Sequence, residues 1–296
     1  MLKRVLVTGS QGFTGRYMTA ELEAAGYEVI GFGSHPGVEK GYVQADLTDA
    51  AAVSRAVGAV KPDVVIHLAA LAFVGHGDPS AFYQVNLVGT RNLLQALADL
   101  DTPPEIVLLA SSANVYGNQS GGRLAESTLP APANDYAVSK VAMEYMARTW
   151  MNRLPIVVTR PFNYTGVGQA ENFLIPKIVS HFIDRKDVIE LGNLDVSRDF
   201  SDVRAVVSAY RALVERKPVG ETFNIASGEA RSLRELLDIC GEITGHHPEI
   251  RVNPDFVRAN EIKSLCGDVS RLRDCIGSWS TPPIEETLRW MLTAES

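Results

Sequence analysis

Through the first half of the chain, short β-branched and aliphatic runs alternate with longer amphipathic stretches. The apolar runs are Arg4 to Thr8, Glu28 to Phe32, Val64 to Leu68, Glu105 to Ala110 and Ile156 to Thr159, all of strand length. Helix-like segments fall between them, roughly Thr14 to Ala25, Asp49 to Val60, Ser80 to Leu100 and Asn134 to Asn152, where parallel crossovers must lie. The pattern predicts repeated βα units and hence an α/β fold with a doubly wound parallel sheet. After Arg160 the alternation weakens, Gly and Pro punctuate more often, and segments such as FLIPKIVSHFI and LRELLDICGEI stand among polar loops. This change puts the sheet domain in residues 1–165 and a smaller C-terminal lobe in 166–296. The strand-like TFNIA of Thr222 to Ala226 and the acidic stretch around Asp199 to Val203 suggest a return of 196–227 to the first domain.

Composition narrows the class. A chain of 296 residues with 46% hydrophobic content is long enough for one large core with an attached lobe. The three cysteines, Cys240, Cys266 and Cys275, lack the paired spacing of a structural zinc site, and no metal site is expected. They read as reduced thiols of a cytoplasmic protein. The N-terminal MLKRVLVTG runs straight into a strand, without the pattern of a signal peptide, and no apolar run reaches membrane-spanning length. A formal net charge of -7 argues against nucleic acid as a partner. An anionic substrate therefore needs locally placed arginines.

The segment VLVTGSQGFTGRYMTAELEAAG places Gly9, Gly12 and Gly15 directly after the first strand and at the opening of the first helix. In that context Gly9 permits a tight turn, Gly12 lets backbone approach a pyrophosphate, and Gly15 lets helix and strand pack closely, with helix N–H groups offered to phosphates. NAD-binding sheets usually end the second strand in an Asp or Glu that accepts from the adenosine ribose. Here the strand reads EVIGFGSH, with Gly33 at that place and Ser34 and His35 after it, so a 2′-phosphate meets donors and no negative charge. NADP(H) is favoured as cofactor and NAD(H) is possible; Lys40 is a distant cation. Asp46, in QADL, either accepts from the adenine amino group or serves as an acid near Thr48 at a helix start.

Two further blocks carry chemistry: LLASSANVYG, Leu108 to Gly117, and NDYAVSKVAMEY, Asn134 to Tyr145. Tyr136 and Lys140 lie four apart, on one helix face, where an ammonium lowers a neighbouring phenol's pKa and readies it as a general acid or base. Ser112 follows a parallel strand, at the sheet edge where ligands bind, and its hydroxyl suits polarising a carbonyl. Together with TGSQGFTG and IHLAA, these blocks resemble the extended short-chain dehydrogenase/reductase family along essentially the whole chain. The resemblance implies a Rossmann domain, a catalytic set of Ser112, Tyr136 and Lys140, and a further role for Lys140 on the nicotinamide ribose. It also implies that Phe13, Leu47, Leu68, Ala69 and Ala70 line the cofactor, that Asn86 is a structural asparagine near the nicotinamide pocket, and that His67 is packing without a catalytic role.

Downstream, TRPFNYTGVGQ and LGNLDVSRDFSDV resemble the nucleotide-sugar branch of that family, and the second block resembles GDP-mannose 4,6-dehydratases and, more closely, GDP-4-keto-6-deoxyhexose reductases of the GDP-rhamnose pathway. By this resemblance Asn163 contacts the sugar diphosphate and Arg198 a phosphate or the nucleotide, since a guanidinium forks onto phosphate oxygens. Arg258 matches a second anion-binding arginine and Glu261 a contact to the nucleotide ribose, although Arg258-Ala259 stands where the pattern has Arg-Pro. Surface salt bridges are the alternative for both arginines. The resemblance implies NADPH-dependent reduction of a C4 keto group. It leaves a nucleotide-sugar 4-epimerase as the rival within enzymes; a non-catalytic NADP-binding regulator is the rival outside them, disfavoured by the intact triad. It also implies a homodimer packed through the Ser80 to Leu100 and Asn134 to Asn152 helices.

Overall fold

In the computed structural model, residues 2–37, 41–72, 78–119, 122–256 and 264–294 are described. The first half alternates β1 (Arg4–Thr8), α1 (Phe13–Ala24), β2 (Glu28–Gly33), β3 (Val43–Gln44), α2 (Ala50–Val60), β4 (Val64–His67), α3 (Pro79–Phe82), α4 (Thr90–Ala98), β5 (Ile106–Ala110), β6 (Arg123–Leu124), α5 (Asp135–Arg148) and β7 (Ile156–Pro161). There follow β8 (Asn163–Thr165), α6 (Leu174–Ile183), β9 (Val188–Leu191), β10 (Ser197–Asp202), α7 (Val203–Arg216), β11 (Thr222–Ile225), β12 (Ala230–Ser232), α8 (Leu233–Thr244), β13 (Glu249–Val252), β14 (Ser264–Gly267), α9 (Ser270–Ile276) and α10 (Ile284–Thr293).

Seven strands form one parallel sheet in the order β11-β7-β5-β4-β1-β2-β3. The order reverses at β1 and β4, so a crevice opens beyond their C-terminal ends. Strand alternation explains why both faces are covered. Leu6 and Val65 point into a cluster with Leu93, Leu94 and Met143, while Val5, Val7, Val64 and Ile66 point into one with Met18, Leu22 and Tyr210. Each such fully buried aliphatic side chain contributes about 1.5–3 kcal/mol of transfer free energy. Helix α7 packs against the second cluster and β11 takes the sheet edge next to β7.

A smaller sheet, β12-β10-β14-β6 with β8 on β10, stands beyond the C-terminal edge, and β9 pairs with β13. Its own core gathers Ile178, Phe182, Leu236, Leu237 and Leu288 from α6, α8 and α10, with Leu191 from β9. No helix among the described residues is long and apolar enough to cross a membrane, and no group of three metal-ligating side chains occurs among them.

Two elements differ from the pattern-based expectation. The helix expected over Ser80 to Leu100 is interrupted by a π-helical stretch, Tyr83–Gly89, and the wider turn directs Asn86 inward. There its amide accepts from Leu71 N at 2.9 Å and donates to Leu71 O at 3.1 Å and Ser139 Oγ at 3.0 Å. Helix α5 starts as expected, with Asn134 Oδ1 capping Ala137 N at 2.9 Å, but stops at Arg148 rather than reaching Asn152.

Candidate active site

The turn after β1 forms a cradle without side chains. Gly9 has φ +71, and a Cβ there would come within 2.9 Å of Ala69 N. A Cβ on Gly15 would fall 2.0 Å from Gly9 O, so only glycine lets α1 start this close to the strand. Gly12 caps α1 without a side chain, which leaves the helix N-terminus open to an anion. Phe13 stacks on Tyr164 with centroids 6.2 Å apart, and Thr14 Oγ1 meets Tyr164 Oη at 2.8 Å, tying the cradle to β8.

Beneath it, His67 is buried between Thr8 Oγ1 at 2.7 Å and Thr90 Oγ1 at 2.9 Å. Thr90 Oγ1 donates to Asn86 O, so it accepts from His67 Nε2–H, and Nδ1 accepts from Thr8. Thr8 Oγ1 in turn accepts from Leu68 N and Ala69 N, both at 3.1 Å. Burial pulls the imidazole down to about 3, with the Lys140 charge adding to it. His67 is thus a neutral brace for the ends of β1 and β4.

At the far end of the crevice, Ser34 and His35 stand exposed after β2, with Ser34 Oγ 3.2 Å from His35 Nδ1. Lys40 lies outside the described residues. Asp46 Oδ1 accepts from Thr48 N and Oγ1, both at 2.8 Å, while the cap of α2 is Asp49. One Asp46 oxygen is therefore committed to the local turn. Leu47 packs its side chain in the core, and its carbonyl accepts from Asn92 Nδ2 at 2.9 Å. Leu68, Ala69 and Ala70 are half-buried along the crevice floor.

Ser112 follows β5 and caps the short 3-10 turn Ala113–Tyr116, its Oγ accepting from Asn114 N at 3.1 Å. Tyr136 lies in the first turn of α5, buried against Phe82 with ring centroids 5.9 Å apart. Burial pushes its phenol up to about 12, against a side-chain hydrogen bond with Ser112 and with a smaller upward push from Tyr164. Lys140 is also buried and donates to Ala110 O at 2.8 Å. Burial pulls its ammonium down to about 8, against the raising effect of Glu144. This corrects the expectation from spacing: Tyr136 and Lys140 share a helix face, but burial, not the ammonium, sets the state of the phenol. It stays protonated near neutral pH.

On the lobe side, Asn163 Nδ2 approaches Asp199 O at 3.4 Å, and Arg198, half-buried on β10, donates from Nη1 to Ser197 O at 2.9 Å. Arg258 and Glu261 lie outside the described residues. Three side chains that the sequence reading passed over support these positions. Asp199, fully buried, accepts from Ser227 N and Oγ at 2.7 Å, Gly228 N at 3.0 Å and Gly267 N at 3.2 Å, fixing the strand that carries Arg198. Glu144 receives a bidentate buried guanidinium from Arg160 at 2.9 and 2.7 Å, and the Ser111 hydroxyl at 2.6 Å. Its place four residues after Lys140 was the available signal.

Residues 5–226 match the NAD dependent epimerase/dehydratase family. The chain belongs to that family. It is 39% identical over 276 residues, covering 93% of this chain and 92% of the relative, to GDP-6-deoxy-D-talose 4-dehydrogenase of Aggregatibacter actinomycetemcomitans. It is 34% identical over 304 residues, covering 99% and 97%, to GDP-6-deoxy-D-mannose reductase of Pseudomonas aeruginosa. Among solved structures, RMD from Pseudomonas aeruginosa complexed with NADPH superposes with a TM-score of 0.85 at 33% identity over 98% of each chain. A candidate epimerase from Burkholderia cenocepacia J2315 superposes at 0.93 with 52% identity over 98% of this chain and 97% of that one. This epimerase/dehydratase family member is an NAD(P)-dependent oxidoreductase of the nucleotide-sugar-modifying kind. The glycine turn fits the cofactor's diphosphate: Gly9 and Gly15 let the turn pack tightly on Ala69 and on Gly9 O, and Gly12 leaves the N-terminal N–H groups of α1 without a capping side chain.

Proposed function

We propose that the protein is an NADPH-dependent reductase of the C4 keto group of a nucleotide-linked 4-keto-6-deoxyhexose, GDP-linked by preference, in deoxysugar biosynthesis. The observation that carries this reading is the placement of three buried side chains, Ser112 after β5 and Tyr136 and Lys140 on α5, with Lys140 anchored on Ala110 O at the C-terminal end of β5. Both relatives are named for redox chemistry on GDP-linked 6-deoxyhexoses. The cofactor, when bound, supplies the hydride that C4 receives.

The chain's own residues then do the rest. The Ser112 hydroxyl donates to the C4 carbonyl oxygen and polarises it. Tyr136 delivers its proton to that oxygen as charge develops there, the step a positioned general acid accelerates. Lys140, charged near neutral pH, binds the nicotinamide ribose and offsets the phenolate left behind. Asn163 on β8 and Arg198 on β10 hold the sugar diphosphate, with Arg258 and Glu261 on the nucleotide. Gly33 supports NADPH over NADH, since no carboxylate there opposes a 2′-phosphate, and Ser34 and His35 supply donors. Ala113 and Asn114, beside Ser112, cannot exchange protons at neutral pH, so this chain does not dehydrate its substrate. Exposed Val88, Val138 and Tyr145 on the helices expected to pair support a homodimer.

A second reading, nucleotide-sugar 4-epimerase, draws on the same three side chains and on the Burkholderia cenocepacia likeness. The test is incubation of pure protein with NADPH and a panel of nucleotide-linked 4-keto-6-deoxy sugars, with products identified by NMR. A reduced C4 alcohol from a GDP-linked substrate is expected; failure to reduce any member overturns the proposal.

A further inference from the structure

Gly31 and Gly33 stand two apart on β2 and therefore on one face of the strand, and Gly37 follows in the turn. The Tyr42 ring lies over all three. A Cβ at Gly31 would be 2.9 Å from Tyr42 Cδ2, one at Gly33 would be 2.7 Å from its Oη, and one at Gly37 would be 2.5 Å from Cγ and Cδ1. These distances are too short for any of the three side chains to be added while the ring stays where it is. The Tyr42 hydroxyl is held in place from two sides, lying 2.8 Å from His35 O and 3.4 Å from Gln11 Oε1. It donates to His35 O, and Gln44 Nε2 donates to Ser34 O at 3.0 Å, so residues at β3 hold both carbonyls of the Ser34–His35 turn.

We propose that Tyr42 is a cofactor-specificity residue: its hydroxyl end fills the volume that a ribose-binding carboxylate at position 33 would need, and the same hydroxyl holds the Ser34–His35 turn in the shape that receives a 2′-phosphate. The proposal rests on the NADPH reading above and explains how the fold enforces it. An acidic residue at the end of β2 is excluded here by Tyr42 as well as absent from the sequence. Adding one requires the Tyr42 hydroxyl to move.

The test is a binding and stability cycle that needs no turnover. NADPH and NADH are titrated by fluorescence against the wild type, Tyr42→Phe, Gly33→Asp, Tyr42→Ala and Gly33→Asp/Tyr42→Ala, and each protein's Tm is measured without cofactor. Gly33→Asp alone is expected to weaken NADPH, gain no NADH affinity and lower Tm. With Tyr42→Ala present, the same aspartate is expected to raise NADH affinity about tenfold relative to Tyr42→Ala, with a smaller loss of Tm, as one charge-assisted hydrogen-bonding group becomes usable. Tyr42→Phe keeps the ring and is expected to weaken NADPH about fivefold with NADH unchanged, the scale of one positioned hydrogen bond. Equal NADH gains from Gly33→Asp with and without Tyr42 would overturn the volume argument. Equal losses for both cofactors in Tyr42→Phe, or none, would overturn the turn-holding role. A wild type that binds NADH as tightly as NADPH would instead overturn the NADPH reading, while the cycle still reports whether Tyr42 excludes an aspartate.

Discussion

Lys140→Met separates what the active site needs from what the fold prefers. The ammonium is buried and titrates at about 8 instead of 10.5. Because the folded value lies below the unfolded one, the unfolded chain holds more protons between those values, and stability rises with pH through that window. Near pH 7 the full cost is present, about 3 kcal/mol at roughly 1.4 kcal/mol per pKa unit. Methionine keeps a similar unbranched volume without the charge but loses the hydrogen bond to Ala110 O, worth about 1 kcal/mol. The variant is therefore expected to be more stable than the wild type by about 2 kcal/mol near pH 7 while losing most of its turnover, a trade of stability for function. Urea unfolding without cofactor, near neutral pH and again above the unfolded lysine value, reads the difference, and initial rates with NADPH read the activity. At high pH the advantage should vanish. A variant less stable than the wild type near neutral pH, or equally advantaged at both, would refute the reasoning.

Three further outcomes are expected. Tyr136→Phe should bind NADPH normally and lose about 100- to 10,000-fold in turnover, because only the proton donor is removed; near-normal rates would overturn that role. Arg198→Ala should raise KM for the nucleotide-sugar with little change in NADPH titration, as expected for loss of uniform binding to a remote phosphate, and a collapse of NADPH binding would assign Arg198 to the other pocket. His67 titrates at about 3 in the fold against 6.5 ordinarily, so stability should fall as pH drops below about 6.5, by roughly 1.4 kcal/mol per unit from this group, and His67→Gln should flatten that part of the urea-stability profile.

What was legible in the sequence was local. Strand-turn-helix at Gly9, Gly12 and Gly15 is written in adjacent residues, and so is the start of α5 at Asn134, because each depends on backbone and caps within a few positions. The continuous apolar strands β1, β4, β5 and β7 announced a sheet covered on both faces. Features that depend on distant partners were not legible. The π-helical stretch at Tyr83–Gly89 carries an Asn86 whose partners are Leu71 and Ser139, and Asp199 joins residues 28 to 68 positions away. The state of Tyr136 was misjudged because helix spacing gives proximity to Lys140 but not burial, and burial is the larger effect. Tyr42 was invisible for a related reason: the sequence shows an absent carboxylate at Gly33, and only the fold shows what takes its space.

Net reduction with exchange of cofactor is read by the stoichiometry of NADPH loss against product. The purified protein is mixed with NADPH and a GDP-linked 4-keto-6-deoxyhexose, absorbance of the reduced nicotinamide is followed, and the C4 alcohol is counted by NMR in the same sample. One NADPH is expected to be consumed per keto group reduced, by protein that carries little nicotinamide when purified. Tightly retained NAD, interconversion of C4 epimers and no net loss of NADPH would contradict it, and would make Ser112, Tyr136 and Lys140 the machinery of an epimerase.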